Sequence, residues 1–232
     1  MKTITATFTA MSVAALIALA TPGVAGASTV TASKDGTVIF QGRSGTPATV
    51  SFRPLKKSPS GRSVWRVKVS DRTATTLFVK GNCKRVFSQK TAICTAGPSS
   101  RLWQFRVLLS NRDDRLHWVG FATIRNTRFR AWGGSGDDAL TLPRAGDRLY
   151  GNAGNDKLTG GGGGRLFGDE GDDRLVGGLG IDRLDGQLGN DVINSADGVK
   201  DASILCGAGQ DSLLRDALDV ANAQFCENIA TP

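Results

Sequence analysis

Histidine is almost missing from this chain: of 232 residues, only His117 is one. A lone histidine excludes the H-E-x-x-H pair of zinc hydrolases and leaves no imidazole ligand set. No G-x-S-x-G elbow occurs, so α/β-hydrolase chemistry lacks its nucleophile turn. The four cysteines form no C-x-x-C pair, which removes the usual thiolate zinc spacing. Past the first 27 residues there is no long apolar run, so the remaining chain offers no candidate membrane-spanning helix. Acidic residues are scarce in residues 28–132, where 20 Lys and Arg stand against four Asp, a net +16. Residues 133–232 reverse this, with eight Lys and Arg against 17 Asp and Glu, a net −9. Such a split suggests two jobs in one chain.

Glycine, by contrast, is abundant, and much of it keeps time with aspartate. Residues 168–194 divide into the nines GDEGDDRLV, GGLGIDRLD and GQLGNDVIN. Upstream lie GGSGDDALT (133–141), LPRAGDRLY (142–150), GNAGNDKLT (151–159) and an eight-residue unit, GGGGGRLF (160–167). After an irregular gap comes CGAGQDSLL (206–214). The sixth place is held by Asp138, Asp147, Asp156, Asp173, Asp182, Asp191 and Asp211, and only the short unit lacks it, with Arg165 there instead. The eighth place is Leu140, Leu149, Leu158, Leu166, Leu175, Leu184, Ile193 and Leu213. A disordered linker has no reason to hold an aliphatic residue in phase through seven consecutive units. A fixed short period marks a solenoid, in which each unit buries its apolar side chain by stacking on its neighbours.

The unit also dictates a chemistry. Glycines at the first, second and fourth places permit positive φ and a tight turn with exposed carbonyls. The last three residues alternate as a strand, with the eighth side chain inward. A carboxylate beside turned-in carbonyls is a hard oxygen cage, suited to Ca²⁺ over a transition metal. These units closely resemble the RTX nonapeptide G-G-x-G-x-D-x-U-x. The resemblance implies a right-handed parallel β-roll with two nonapeptides per coil and Ca²⁺ held between stacked turns. The expected fold is therefore all-β: a small β-rich domain followed by this roll.

Two units per coil sort the aspartates onto two edges. The first edge carries Asp138, Asp156, Asp173 and Asp191, an unbroken column with room for about three Ca²⁺ ions. The second carries Asp147, then Arg165, then Asp182, and is expected to be crippled; its second unit has lost its early turn glycines (LPRAG). Seventh-place Arg148, Lys157, Arg165, Arg174 and Arg183 form an outward basic ladder, read as screening the aspartates.

The remaining expectations concern export and the basic half. MKTITATFTAMSVAALIALATPGVAGA has a basic start, a short apolar core and a small-x-small site, which reads as a secretory signal peptide over 1–27. Export to an oxidising compartment makes Cys83, Cys94, Cys206 and Cys226 disulfide candidates. Three pairings are open, with local closure favouring Cys83–Cys94 and Cys206–Cys226. The runs VWRVKV (64–69), LWQFRVLL (102–109) and TRFRAW (127–132) alternate apolar with polar and read as half-buried strands. They place Arg66, Lys68, Arg106, Arg128 and Arg130 on a basic face able to meet an anionic cell-envelope polymer or polysaccharide. Asn111–Leu116 (NRDDRL) resembles a glycine-less remnant of the repeat, which would carry the roll backward. The expected layout is signal peptide 1–27, basic β-rich domain 28–132, roll 133–214 and a disulfide-tied cap 215–232. That order resembles secreted actinobacterial calcium-binding proteins. With the catalytic motifs missing, the expectation is a secreted, non-enzymatic calcium-binding protein with a binding or adhesion module. An extracellular hydrolase or a haemolysin-like toxin is the alternative, though no amphipathic helical block precedes the repeats. Oligomeric state is not legible.

Overall fold

The computed structural model describes residues 28–32, 37–42, 48–55, 64–71, 77–81, 83–86, 88–98, 103–118, 127–142, 146–219 and 223–232. The signal-peptide segment 1–27 lies outside the described residues. Short strands account for nearly all of the regular structure. The N-terminal ones are β1 (Ser28–Ala32), β2 (Thr37–Gln41), β3 (Thr49–Leu55), β4 (Val64–Asp71), β5 (Leu77–Gly81), β6 (Cys83–Val86) and β7 (Ser88–Pro98). Next come β8 (Trp103–Leu108), β9 (Arg115–Trp118), β10 (Thr127–Ser135) and β11 (Ala139–Thr141). Long and short strands then alternate: β12 (Arg148–Ala153), β13 (Lys157–Thr159), β14 (Arg165–Glu170), β15 (Arg174–Val176), β16 (Arg183–Leu188) and β17 (Val192–Asn194). The chain closes with β18 (Ser203–Ala208), β19 (Ser212–Leu214), β20 (Ala223–Gln224) and β21 (Asn228–Ala230). No helix among the described residues is long and apolar enough to cross a membrane.

Even- and odd-numbered strands from β8 onward separate into two parallel sheets, so each coil contributes one strand to each. In the first sheet Leu149, Leu166, Leu184 and Ile204 stand directly opposite one another on β12, β14, β16 and β18. In the second sheet Leu140, Leu158, Leu175, Ile193 and Leu213 do the same. All nine are buried to within 1 % of full burial. At roughly 1.5–3 kcal/mol for each fully buried aliphatic side chain, two per coil are too few to order a coil alone. Stacking makes the core continuous, as a solenoid requires. The β-roll and its two-units-per-coil register are therefore present as the RTX resemblance implied.

The stack begins well before Gly133. The expected boundary between residues 132 and 133 falls inside β10, which pairs in parallel with both β8 and β12. β9, containing the end of the NRDDRL remnant, pairs in parallel with β11. Farther back, β2 lies parallel to β8 and β3 parallel to β9, so the basic half continues the same two sheets. Antiparallel pairs occur only beyond that, at β1–β2, β3–β4, β4–β7 and β6–β7, while β1 and β5 pair in parallel. The expected C-terminal cap contributes a further coil, since β20 and β21 pair in parallel with β18 and β19.

Cys206 and Cys226 form a disulfide with Cα atoms 5.1 Å apart, which ties that last coil to β18. Cys83 on β6 stands opposite Cys94 on β7 in the backbone register.

Candidate metal-binding turns

Each coil turns twice, and most of these turns bury one carboxylate. At the turns leading from the first sheet to the second, Asp114, Asp138, Asp156, Asp173, Asp191 and Asp211 are all at most 2 % exposed. Their register is fixed by a repeated bond. The backbone N–H of Asp138 donates to Oδ1 of Asp156 at 2.7 Å, Asp156 to Asp173 at 2.7 Å, and Asp173 to Asp191 at 2.8 Å. Asp191 continues to Asp211 at 2.8 Å, and Asp211 to Oε2 of Glu227 at 2.8 Å. At the other end, Asp114 N–H donates to Asp138 Oδ1 at 2.6 Å, and Ala48 N–H donates to Asp114 Oδ1.

The second carboxylate oxygen is the informative one. Oδ2 of Asp138, Asp156, Asp173, Asp191 and Asp211 is buried and has no hydrogen-bond partner. In Asp138, Asp156, Asp173 and Asp191 it faces the first-place glycine of the residue's own unit. A Cβ on Gly168 would lie 2.1 Å from Asp173 Oδ2 and 2.6 Å from the carbonyl oxygen of Gly186. Gly133, Gly151 and Gly186 are crowded in the same way. At this place glycine is demanded by converging oxygens. Positive φ is needed instead at the fourth place, as at Gly154 (φ 127°) and Gly171 (φ 122°).

The opposite turns carry a second column. Asp147 Oδ1 accepts from Phe129 N–H at 3.0 Å, and Asp182 Oδ1 accepts from Gly164 N–H. Asp182 N–H donates to Asp201 Oδ1 at 2.8 Å, and Asp201 N–H to Asp219 Oδ1 at 2.7 Å. Oδ2 of Asp182 is again buried without a hydrogen-bond partner. The place lacking a carboxylate is Gly164. Arg165 stands opposite Arg148 and Arg183, so it occupies the seventh place and not the sixth that forward counting assigned. The second edge is also less crippled than expected, because Asp182 is followed by Asp201 and Asp219 in unbroken succession.

Burial shapes the electrostatics of both columns. Desolvation is the largest influence on Asp138, Asp156, Asp173, Asp182, Asp191, Asp201 and Asp211, opposed by the accepted N–H and reinforced by neighbouring carboxylates. It pushes Asp138 and Asp173 up to about 7, Asp156 to about 8 and Asp201 to about 7. Asp182 and Asp191 rise to about 6, and Asp211 is raised as well. A buried carboxylate oxygen without a donor is costly unless a cation faces it. Among the described residues no three acidic, histidine or cysteine side chains converge on one point. The available donors are thus one carboxylate per turn plus main-chain carbonyls, an all-oxygen set that fits Ca²⁺.

A family model for the RTX calcium-binding nonapeptide repeat matches residues 144–164 and 167–199, with four copies. These are RTX calcium-binding repeats. No characterised protein and no solved structure matches the chain. The matched RTX span contains Asp147, Asp156, Asp173, Asp182 and Asp191. Asp138 and Asp211 lie outside it, yet stand in the same column by hydrogen bonding and register.

Four acidic residues join the columns without having been picked out as site residues: Asp114, Asp201, Asp219 and Glu227. Asp114-Arg115-Leu116 and Glu227-Asn228-Ile229 keep the acid-x-aliphatic spacing of the repeat. Asp201 has one extra residue before Ile204, which hides it from a strict count of nines.

The basic residues divide between the sheets. Arg106, Arg130, Arg148, Arg165 and Arg183 are successive neighbours in the first sheet. Lys157 and Arg174 stand in the second, in line with Arg115. Arg128 is exposed on β10 opposite Gln104. Arg66 and Lys68 lie on β4, also in the second sheet, so the five residues read as one basic face do not share a sheet.

Proposed function

We propose that this is an exported, non-catalytic calcium-binding protein whose β-roll orders as Ca²⁺ occupies its turns. The observation that carries this reading is the buried Oδ2 without a partner, repeated at Asp138, Asp156, Asp173 and Asp191 beside main-chain carbonyls. On the first edge, adjacent pairs among Asp138, Asp156, Asp173 and Asp191 delimit three inter-turn places, and these four residues would hold about three ions. Asp114 and Asp211 offer further places at either end, and Asp182, Asp201 and Asp219 a shorter set on the second edge. Bound Ca²⁺ would supply counter-charge to groups that burial otherwise drives toward protonation. The chain's own part is to fix one carboxylate and a set of carbonyls per turn and to exclude water from the interior.

Export is supported by the 1–27 segment and by a disulfide suited to an oxidising compartment. The absence of catalysis is supported by the lone histidine, which is exposed on β9 opposite Thr141. The basic strands ahead of the repeats would then form a binding or adhesion element, held on the calcium-ordered stack. Calorimetric titration of the protein with Ca²⁺ tests the reading. Several Ca²⁺ per chain, with no comparable binding of Mg²⁺, is the expected outcome. Absence of Ca²⁺ binding, or steady turnover in peptidase, esterase and glycosidase assays, would overturn it.

A further inference from the structure

The outer face of the first sheet carries two parallel rows that calcium binding does not use. Arg106, Arg130, Arg148, Arg165 and Arg183 form one row, each opposite the next on a neighbouring strand. Two residues along each strand lies a second row, Leu108, Trp132, Tyr150 and Phe167, ending at Asp185. The aromatic members stack on one another: Trp132 on Tyr150 at 5.4 Å between centroids, and Tyr150 on Phe167 at 4.9 Å, all within 7° of parallel. All eight arginine and aromatic side chains are half-buried or exposed. At the N-terminal end the face dips into a hollow of about 230 Å³ lined by Gln104, Phe105, Arg106, Arg128 and Arg130.

Five guanidiniums repeating at the ~4.8 Å strand spacing repel one another. Among the described residues no ion pair joins any of them to a carboxylate, and the buried Nε of Arg106 has no hydrogen-bond partner. The expected role of screening the aspartates does not account for this row, because the aspartates are buried inside the turns. A cost that no internal contact relieves points to an external anion.

We propose that this face is a rail for a linear acidic glycan, a polymer with one carboxylate or sulfate on each sugar, lying across the strands. Three features select that occupant. An extended glycan repeats its charge at about the length of one sugar, close to the strand spacing, so consecutive anions meet consecutive arginines. Guanidinium forks pair carboxylate and sulfate oxygens two at a time. The ring faces are turned toward each other, so they present outward the positive edges of their quadrupoles. Nucleic acid would need those faces open for its bases. The rail rests on the calcium-folded roll, since its rows are in line only when the coils are stacked.

Binding of the whole protein to polygalacturonate, in Ca²⁺ and with its fold monitored by circular dichroism, tests this. The comparison probes are methyl-esterified polygalacturonate and a single-stranded oligodeoxythymidylate. The double variant Arg148→Gln/Arg165→Gln should lose about tenfold or more in affinity. The charge-matched control Lys157→Gln/Arg174→Gln, exposed on the other sheet, should stay near the parent value. Tyr150→Ala should weaken binding while leaving the calcium titration in place. Equal loss in both double variants, equal binding of the esterified polymer, or tighter binding of the oligonucleotide would each overturn the rail. Glycan binding and β-structure that both persist in EDTA would overturn calcium-coupled folding and leave the rail standing. Loss of both together supports the two.

Discussion

The backbone N–H of Asp156 donates to Oδ1 of Asp173, one coil farther on, at 2.7 Å. The same carboxylate leaves its Oδ2 buried and without a partner. One oxygen thus sets the stacking of coils while the other is left for a cation.

Asp173 has a carboxylate on the coil before it and another on the coil after it, whereas Asp182 has Asp201 on one side and Gly164 on the other. Asp173→Asn therefore weakens two shared places and interrupts propagation along the stack. Its Ca²⁺ midpoint of folding should rise by about threefold or more, and by less in Asp182→Asn. Calorimetry should count fewer ions in the first variant. Equal effects would show that the gap at Gly164 has no energetic consequence.

Gly164 can be filled. A Cβ there meets nothing closer than Leu166 Cδ1 at 3.4 Å, Asp147 O at 3.6 Å and Asp182 Oδ1 at 3.8 Å, all ordinary contacts. Gly164→Asp should supply the missing carboxylate of the second column and lower the Ca²⁺ midpoint. Gly168→Ala is the opposite case, because its Cβ would collide with Asp173 Oδ2 and the Gly186 carbonyl. It should cost at least about 1–3 kcal/mol, in the range of an overpacked core. Thermal melts in saturating Ca²⁺ would measure both; an unaffected Gly168→Ala variant would rule out the tight turn.

Acid and calcium should act in opposite directions. Burial raises the folded, metal-free pKa values of Asp138, Asp156, Asp173, Asp182, Asp191 and Asp201 from 3.8 to between about 6 and about 8. The folded chain then holds protons that the unfolded chain has released. This contribution to metal-free stability is fully present below pH 3.8 and is lost as pH rises through the folded values. Calcium needs the ionised form, so its affinity should rise from pH 6 to pH 8. Circular dichroism in EDTA should therefore show more β-structure at pH 5 than at pH 8, while the Ca²⁺ midpoint falls with pH. A midpoint independent of pH would contradict the burial of these groups.

The Cys206–Cys226 bridge closes a separation of 20 residues and holds the last coil onto β18. Loops of that size are worth about 3 kcal/mol when cross-linked. Cys226→Ser should increase hydrogen exchange in 223–230 well before it affects 148–194. Uniform loss of protection would mean that the last coil and the middle of the roll unfold as one unit.

Much of this was legible because the repeat constrains three things at once: a turn glycine, an acid and an aliphatic residue at fixed offsets. Leu140, Leu158, Leu175 and Ile193 hold the eighth place of alternate units, and they are neighbours in one sheet. What escaped had lost one of the three marks. Asp114 has no glycines before it, Asp201 carries an inserted residue, and Glu227 replaces aspartate. Second-place positive φ at Asn152, Asp169 and Gln187 was likewise hidden, since none is glycine. Their side chains bond along the stack instead, with Asn152 Nδ2 donating to Asp169 Oδ2 at 3.0 Å and Gln187 Nε2 to Asp169 Oδ1. The backward extension of the roll through β8 and β2 lacked any repeat signal beyond NRDDRL. Alternation marks a strand but does not name its neighbour.

Coupling of calcium to folding is tested most directly by far-UV circular dichroism of the whole protein in EDTA, followed through a Ca²⁺ titration at pH 7.5. Gain of β-signal in one cooperative transition near 10⁻⁴–10⁻³ M Ca²⁺, about the range of extracellular calcium modules, is the expected result. A spectrum already fully β in EDTA and unchanged by Ca²⁺ would contradict it.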